Sequence, residues 1–216
     1  AASRSRGRFD RACQKSGVHK TRKVPTQAAS SARWQDLVGE AALVLPGLAS
    51  ATDLAIFAGE LSTVDLLMGN CLETTLLDSG TPILYLPNVT GKNLFHRPLI
   101  AWNGSAACTR AISAWLTLGS NPEQVMAVNI FEPDEDAPDM SGLSQRLAWH
   151  GIDVSIVSRR RSFDTVADML CAAARDFECG MIVMGGYGRR RYAEALFGGV
   201  TRRVIRNGSL PVLMMH

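Results

Sequence analysis

From residue 97 onward, short apolar runs alternate with stretches whose apolar residues recur every three or four positions. Leu99–Trp102 is a wholly apolar run closed by Asn103-Gly104-Ser105, which predicts a short buried strand ending in a turn. Ala106–Leu118 places Ala111, Ala114, Trp115 and Leu118 at helical spacing. Val125–Phe131 predicts a second strand, followed by the acidic, Pro-containing loop Glu132–Ser141 and a helix that ends near His150-Gly151. Ile152–Val157 alternates apolar and polar residues and predicts a third strand. Ser162 is placed to cap the next helix, whose apolar stripe is Phe163, Val166, Leu170, Ala173 and Phe177. Met181–Met184 is apolar throughout and predicts a central strand. Leu196–Asn207 then reads as a helix stopped at Gly208, and Pro211–Met215 as the fifth strand. Strands alternating with helices, with apolar central strands, predict an α/β fold whose parallel sheet is covered on both faces.

The first part of the chain repeats the second half of this unit. Thr81-Pro82-Ile83-Leu84 matches Leu210-Pro211-Val212-Leu213, and Leu54–Gly59 matches Gly180–Gly185. Gly69 then falls on Gly198, and Leu72–Ser79 on the final helix. Helix, strand, helix, strand is therefore duplicated over 36–87, and nothing ahead of residue 33 corresponds to the first strands. Residues 41–58 are apolar apart from Asp53, but Pro46-Gly47 interrupts them, so helix, turn and strand describe them better than a membrane span.

Composition narrows the classes further. With 216 residues, 46% of them hydrophobic and 20% charged, the chain is globular rather than disordered or fibrous. Its five Cys contain no C-x-x-C pair and its four His are scattered, which argues against a disulfide framework and a zinc cage. A reducing, cytoplasmic setting is expected, with no membrane contact. The net charge of +3 conceals an asymmetry, because Lys and Arg crowd residues 1–30 against Asp10 alone. Residues 1–35 are expected to be a disordered basic arm, making at most weak, salt-dependent and non-specific contacts with nucleic acid.

The candidate chemistry lies after the fourth strand. Gly185-Gly186-Tyr187-Gly188 is followed, after nine intervening residues, by Gly198-Gly199-Val200-Thr201, which opens a helix. Glycines after a strand let backbone amides approach a phosphate, and a helix N-terminus presents N–H groups and the positive end of its dipole. At the carboxyl edge of a parallel sheet this is where α/β folds hold nucleotides, and Asn103 ends the first strand at the same edge. The bland reading is that such glycines only make turns. Arg189, Arg190 and Arg191 either fold over a triphosphate or are a solvated run. No Gly-x4-Gly-Lys-Ser/Thr loop, Gly-x-Ser-x-Gly elbow or catalytic His or carboxylate pair is evident, so a non-enzymatic protein is expected.

The spacing G-x2-G-x9-G, the closing Pro-Val-Leu strand and the Ala-Trp-Asn-Gly-Ser opening together resemble the universal stress protein (UspA) family. The resemblance implies a five-stranded parallel sheet sandwiched by helices, Rossmann-like and adenine nucleotide alpha hydrolase-like, preceded here by a half-copy of the same unit. It divides the chain into the arm 1–35, a partial domain 36–90 and a complete domain 97–216. It also implies ATP or ADP bound with modest affinity at Asn103, Gly185, Gly188, Gly198, Gly199, Val200 and Thr201, with no metal beyond nucleotide-associated Mg. Partners implied are a second copy in a homodimer or an intrachain domain pair. Two departures stand out. Gly199 occupies the place of the Ser or Thr that holds phosphate in ATP-binding members, and Asn103 that of an acidic residue. The first copy, with Gly59-Glu60 and Gly69-Asn70, is expected to have lost the site. The alternative is an interaction protein that works without nucleotide and keeps a vestigial site.

Overall fold

The computed structural model describes residues 2–23, 29–59, 66–87, 94–119, 121–186, 199–207 and 209–216. The chain divides into two units, Ala1–Gly39 and Glu40–His216. In the first, the disorder expected of the basic arm gives way to helix α1 (Ala2–Ser16) and to a two-residue parallel pair, β1 (His19–Lys20) with β2 (Ser31–Ala32). Phe9 and Cys13, one helical turn apart, supply the reason. Cys13 is buried, and the Phe9 and Trp34 rings stand 5.6 Å apart between centroids. Lys20 pairs with Asp10 at 2.8 Å.

The second unit opens with α2 (Ala41–Ala49), β3 (Ala55–Ala58), α3 (Leu66–Asp78) and β4 (Ile83–Leu86). The complete domain follows as β5 (Pro98–Ala101), α4 (Ala106–Thr117), β6 (Val125–Phe131), α5 (Ser141–Ala148), β7 (Val154–Arg160), α6 (Val166–Asp176), β8 (Met181–Gly185), α7 (Gly199–Asn207) and β9 (Val212–Met215). All strands of this unit join one sheet in the order β3-β4-β9-β8-β5-β6-β7. The sheet has seven strands, not the five expected. The five of the complete domain are parallel to one another, and β4 is added antiparallel to β9, with β3 parallel to β4 beyond it. The reason is edge protection. Left alone, β9 and β4 would each present an apolar strand edge to water; paired, they bury Leu84, Leu213 and Met214.

Two cores sandwich the sheet. Trp115, Leu147, Ile100 and Leu213 belong to the core under α4 and α5. Leu170, Val204, Ile182 and Met214 belong to the core under α6 and α7, which also takes in Leu72 and Leu76 of α3. The half-copy thus shares its core with the complete domain rather than building its own.

Local details shift from expectation. The cap of α6 is Thr165, whose hydroxyl oxygen accepts from the Asp168 N–H at 3.2 Å, and not Ser162; Phe163 lies outside the helix, fully exposed. Strand β7 runs to Arg160 because it pairs with β6 along its whole length. Gly208, expected to stop the last helix, lies outside the described residues. Among the described residues no helix is long and apolar enough to cross a membrane, and no three His, Cys, Asp or Glu gather as a metal site.

Candidate functional site

Strands β5 and β8 are neighbours, yet the helices that follow them cover opposite faces, α4 one and α7 the other. The crevice at their carboxyl ends is the switch point at which open α/β sheets bind ligands. Asn103 reaches this edge in a tightly made turn. Its Oδ1 accepts from the Ser105 N–H at 3.1 Å, Gly104 takes φ +68°, and the Ser105 hydroxyl oxygen caps α4 by accepting from the Cys108 N–H at 3.1 Å. Asparagine tolerates this role because its short side chain reaches the backbone two residues on. One lone pair of Oδ1 is therefore already engaged.

Asn129, which the sequence reading overlooked, steadies the same turn from β6. Its Nδ2 donates to the Trp102 carbonyl at 2.8 Å, while the Trp102 N–H donates to the Val128 carbonyl at 2.8 Å. Asn129 is buried, and its Oδ1 has no partner among the described residues. The signal was present as a lone amide inside the apolar run Val125–Phe131.

Gly185 closes β8 directly against α4. A Cβ there would stand 2.7 Å from the Cys108 nitrogen and 3.1 Å from Ala107, so glycine is required for helix-to-strand approach. A Cβ on Gly186 would stand 2.5 Å from Cδ2 of Leu76, where α3 of the half-copy arrives. The Gly186 N–H donates to the Met215 carbonyl at 2.8 Å, and Arg110 Nε donates to the His216 carbonyl at 2.9 Å. The Cys108 thiol donates to the Ala101 carbonyl at 3.3 Å, and burial pushes its pKa up. Asn103 and Gly185 are thus brought together through the start of α4.

Gly199 is different. It begins α7 with ordinary helical backbone, and a Cβ there would meet nothing within 4 Å among the described residues. Gly199 and Val200 line an open cavity of about 400 Å³ shared with the start of α6, where Arg161, Thr165 and Arg203 also face it. Both arginines carry partners. Arg161 pairs with Glu132 at 2.9 Å and Arg203 with Asp168 at 3.3 Å. The Thr165 hydroxyl, with help from Arg203, holds the Asp168 carboxyl below the usual range. Thr201 is 3% exposed and lies on the same side of α7 as the buried Val204 and Ile205. Gly188, Gly198, Tyr187 and Arg189–Arg191 lie outside the described residues. In the half-copy, Gly59 has φ +141°, and its carbonyl accepts from the Tyr85 hydroxyl at 2.9 Å.

Comparison with known proteins fits this architecture. Residues 99–216 match the universal stress protein family, and the chain belongs to it. No curated protein matches. Among solved structures, a universal stress protein from Archaeoglobus fulgidus DSM 4304 is similar at 20% identity and a TM-score of 0.63, over 80% of this chain and 63% of that one. A functionally unknown protein from Pseudomonas aeruginosa PAO1 is similar at 13% identity and a TM-score of 0.57, over 100% of this chain and 78% of that one. The chain therefore spans under two thirds of the Archaeoglobus protein, and these likenesses describe the fold alone.

Proposed function

We propose that this universal stress protein is a cytoplasmic binding module, not an enzyme, that holds ATP or ADP with modest affinity at the carboxyl edge between β5 and β8. The observation that carries the reading is the open first turn of α7. Among the described residues nothing crowds Gly199 where a phosphate would approach, and the first N–H groups of a helix have no intrahelical partner. Asn103 supplies an amide to a sugar or base from the neighbouring strand. These residues suit an adenine nucleotide with any Mg it brings. Affinity is modest because Gly199 offers an amide and no hydroxyl, and because Asn103 carries no charge. One hydrogen bond to a charged group contributes about 1.5–3 kcal/mol, so each loss weakens binding by roughly 10-fold or more.

A second reading has its own support. Gly185 and Gly186 are held by packing against Cys108 and Leu76, so these two glycines have structural work without any nucleotide. On that reading the protein acts through its surface alone. Native mass spectrometry of the protein as purified separates the two. Co-purified ATP or ADP supports the first, and a bare mass that added nucleotide does not change supports the second.

A further inference from the structure

The half-copy brings an unusual surface with it. Helix α2 reads AALVLPGLA, with no polar side chain, yet Leu43 is 75% and Leu48 40% exposed. Leu67 of α3 is also exposed. A helix apolar all round belongs in an interior, and exposed apolar surface of this kind marks a place where another surface docks. The same segment is one-signed. Its described residues, 40–59 and 66–87, carry Glu40, Asp53, Glu73 and Asp78 and no Lys, Arg or His. Two such surfaces would repel each other, so the occupant is cationic as well as apolar.

The chain itself carries that complement. Along α1, Arg4, Arg8, Arg11 and Lys15 are exposed and recur at three- and four-residue intervals, which sets them in one stripe. The same unit exposes Leu37 and Val38. We infer that the acidic, apolar face of the half-copy docks the basic N-terminal unit of a second copy of this chain. A twofold axis then satisfies both contacts at once, each chain giving its arm and receiving its partner's. The two faces supply opposite charge for register and apolar side chains for burial.

Charge reversal in complementary pairs tests this on the full chain. One variant carries Arg4→Glu, Arg8→Glu, Arg11→Glu and Lys15→Glu; the other carries Glu40→Lys, Asp53→Lys and Asp78→Lys, all at exposed positions. Mass is read by light scattering or sedimentation, with circular dichroism verifying that each variant is folded. The wild type is expected to have the mass of two chains at low salt and to dissociate toward 1 M salt, where the screening length shrinks to about 3 Å. Each variant alone is expected to be a monomer, since it presents like charges to itself. Mixed one to one, they are expected to recover the two-chain mass, because each arm then meets an opposite face. A monomeric wild type overturns the inference, including one whose arm binds duplex DNA instead. A dimer indifferent to salt and to both reversals, or a mixture that stays monomeric, overturns it equally.

Discussion

Leu84 of β4 stands opposite Leu213 of β9, and these two residues are each other's equivalents in the internal repeat. Their neighbours follow the same rule. Ile83 faces Met214 and Tyr85 faces Val212, so a local twofold axis passes between the two leucines. One chain thereby joins the last strand of a partial unit to that of a complete one, and the sheet continues across the junction. This explains how a half-copy lacking its first strands stays folded: Leu72 and Leu76 are buried in a core that α6 and α7 also build.

Shortening Leu76 therefore tests whether the half-copy is integral. The side chain is 1% exposed and meets Gly186 of the complete domain. Leu76→Ala is expected to cost about 2–5 kcal/mol, lost in a single cooperative transition. Urea unfolding followed by far-UV circular dichroism and tryptophan emission checks it. A separate early transition, or a loss below about 1 kcal/mol, would show that the half-copy folds apart.

Gly185 and Gly199, the two site glycines among the described residues, should respond oppositely to a methyl group. Gly185→Ala drives a Cβ into the backbone of α4 and is expected to cost about 1–3 kcal/mol. Gly199→Ala meets no described residue within 4 Å and sits in ordinary helical backbone, so stability should hold or rise by up to about 1 kcal/mol. Thermal denaturation of both variants decides. Equal losses would contradict the distinction between a packing glycine and an open one.

Alkaline stability carries a further expectation. Cys179 is buried, its thiol donates to the Met181 carbonyl at 2.7 Å, and burial pushes its pKa from 9.0 to about 11. Folding thus favours the neutral thiol. Its contribution is complete below pH 9 and is lost as pH rises to about 11. The stability gap between wild type and Cys179→Ala should accordingly narrow across that window. Urea midpoints for both proteins at its two ends measure it, and a gap independent of pH would refute it.

Much of this architecture was legible because buried strands and amphipathic helices have different periods. Leu99–Trp102, Val125–Phe131 and Met181–Met184 each announced a strand of the complete domain, and the Leu84/Leu213 match revealed the half-copy. The seven-stranded sheet was not legible, since edge-to-edge pairing of β4 with β9 depends on two strands far apart in sequence. The order in α1 was hidden as well. Basic composition outweighed the weak apolar spacing of Phe9 and Cys13, and Trp34 lies too far along the chain to be read as their partner. At the carboxyl edge between β5 and β8, the glycine spacing did not reveal the division of labour between Gly185 and Gly199. Whether a glycine faces open space or a helix backbone depends on what packs against it, as Gly199 and Gly185 show.

Calorimetric titration of ATP and ADP into the wild type and into Gly199→Ser tests the nucleotide reading most directly. Position 199 has ordinary helical backbone and no close neighbour among the described residues, so serine fits without strain and adds the hydroxyl that glycine lacks. Weak, saturable binding to the wild type is expected, tightened roughly 10-fold or more in the variant by one hydrogen bond to a charged group. No heat from either protein at millimolar nucleotide would contradict the reading and leave the fold as an interaction scaffold.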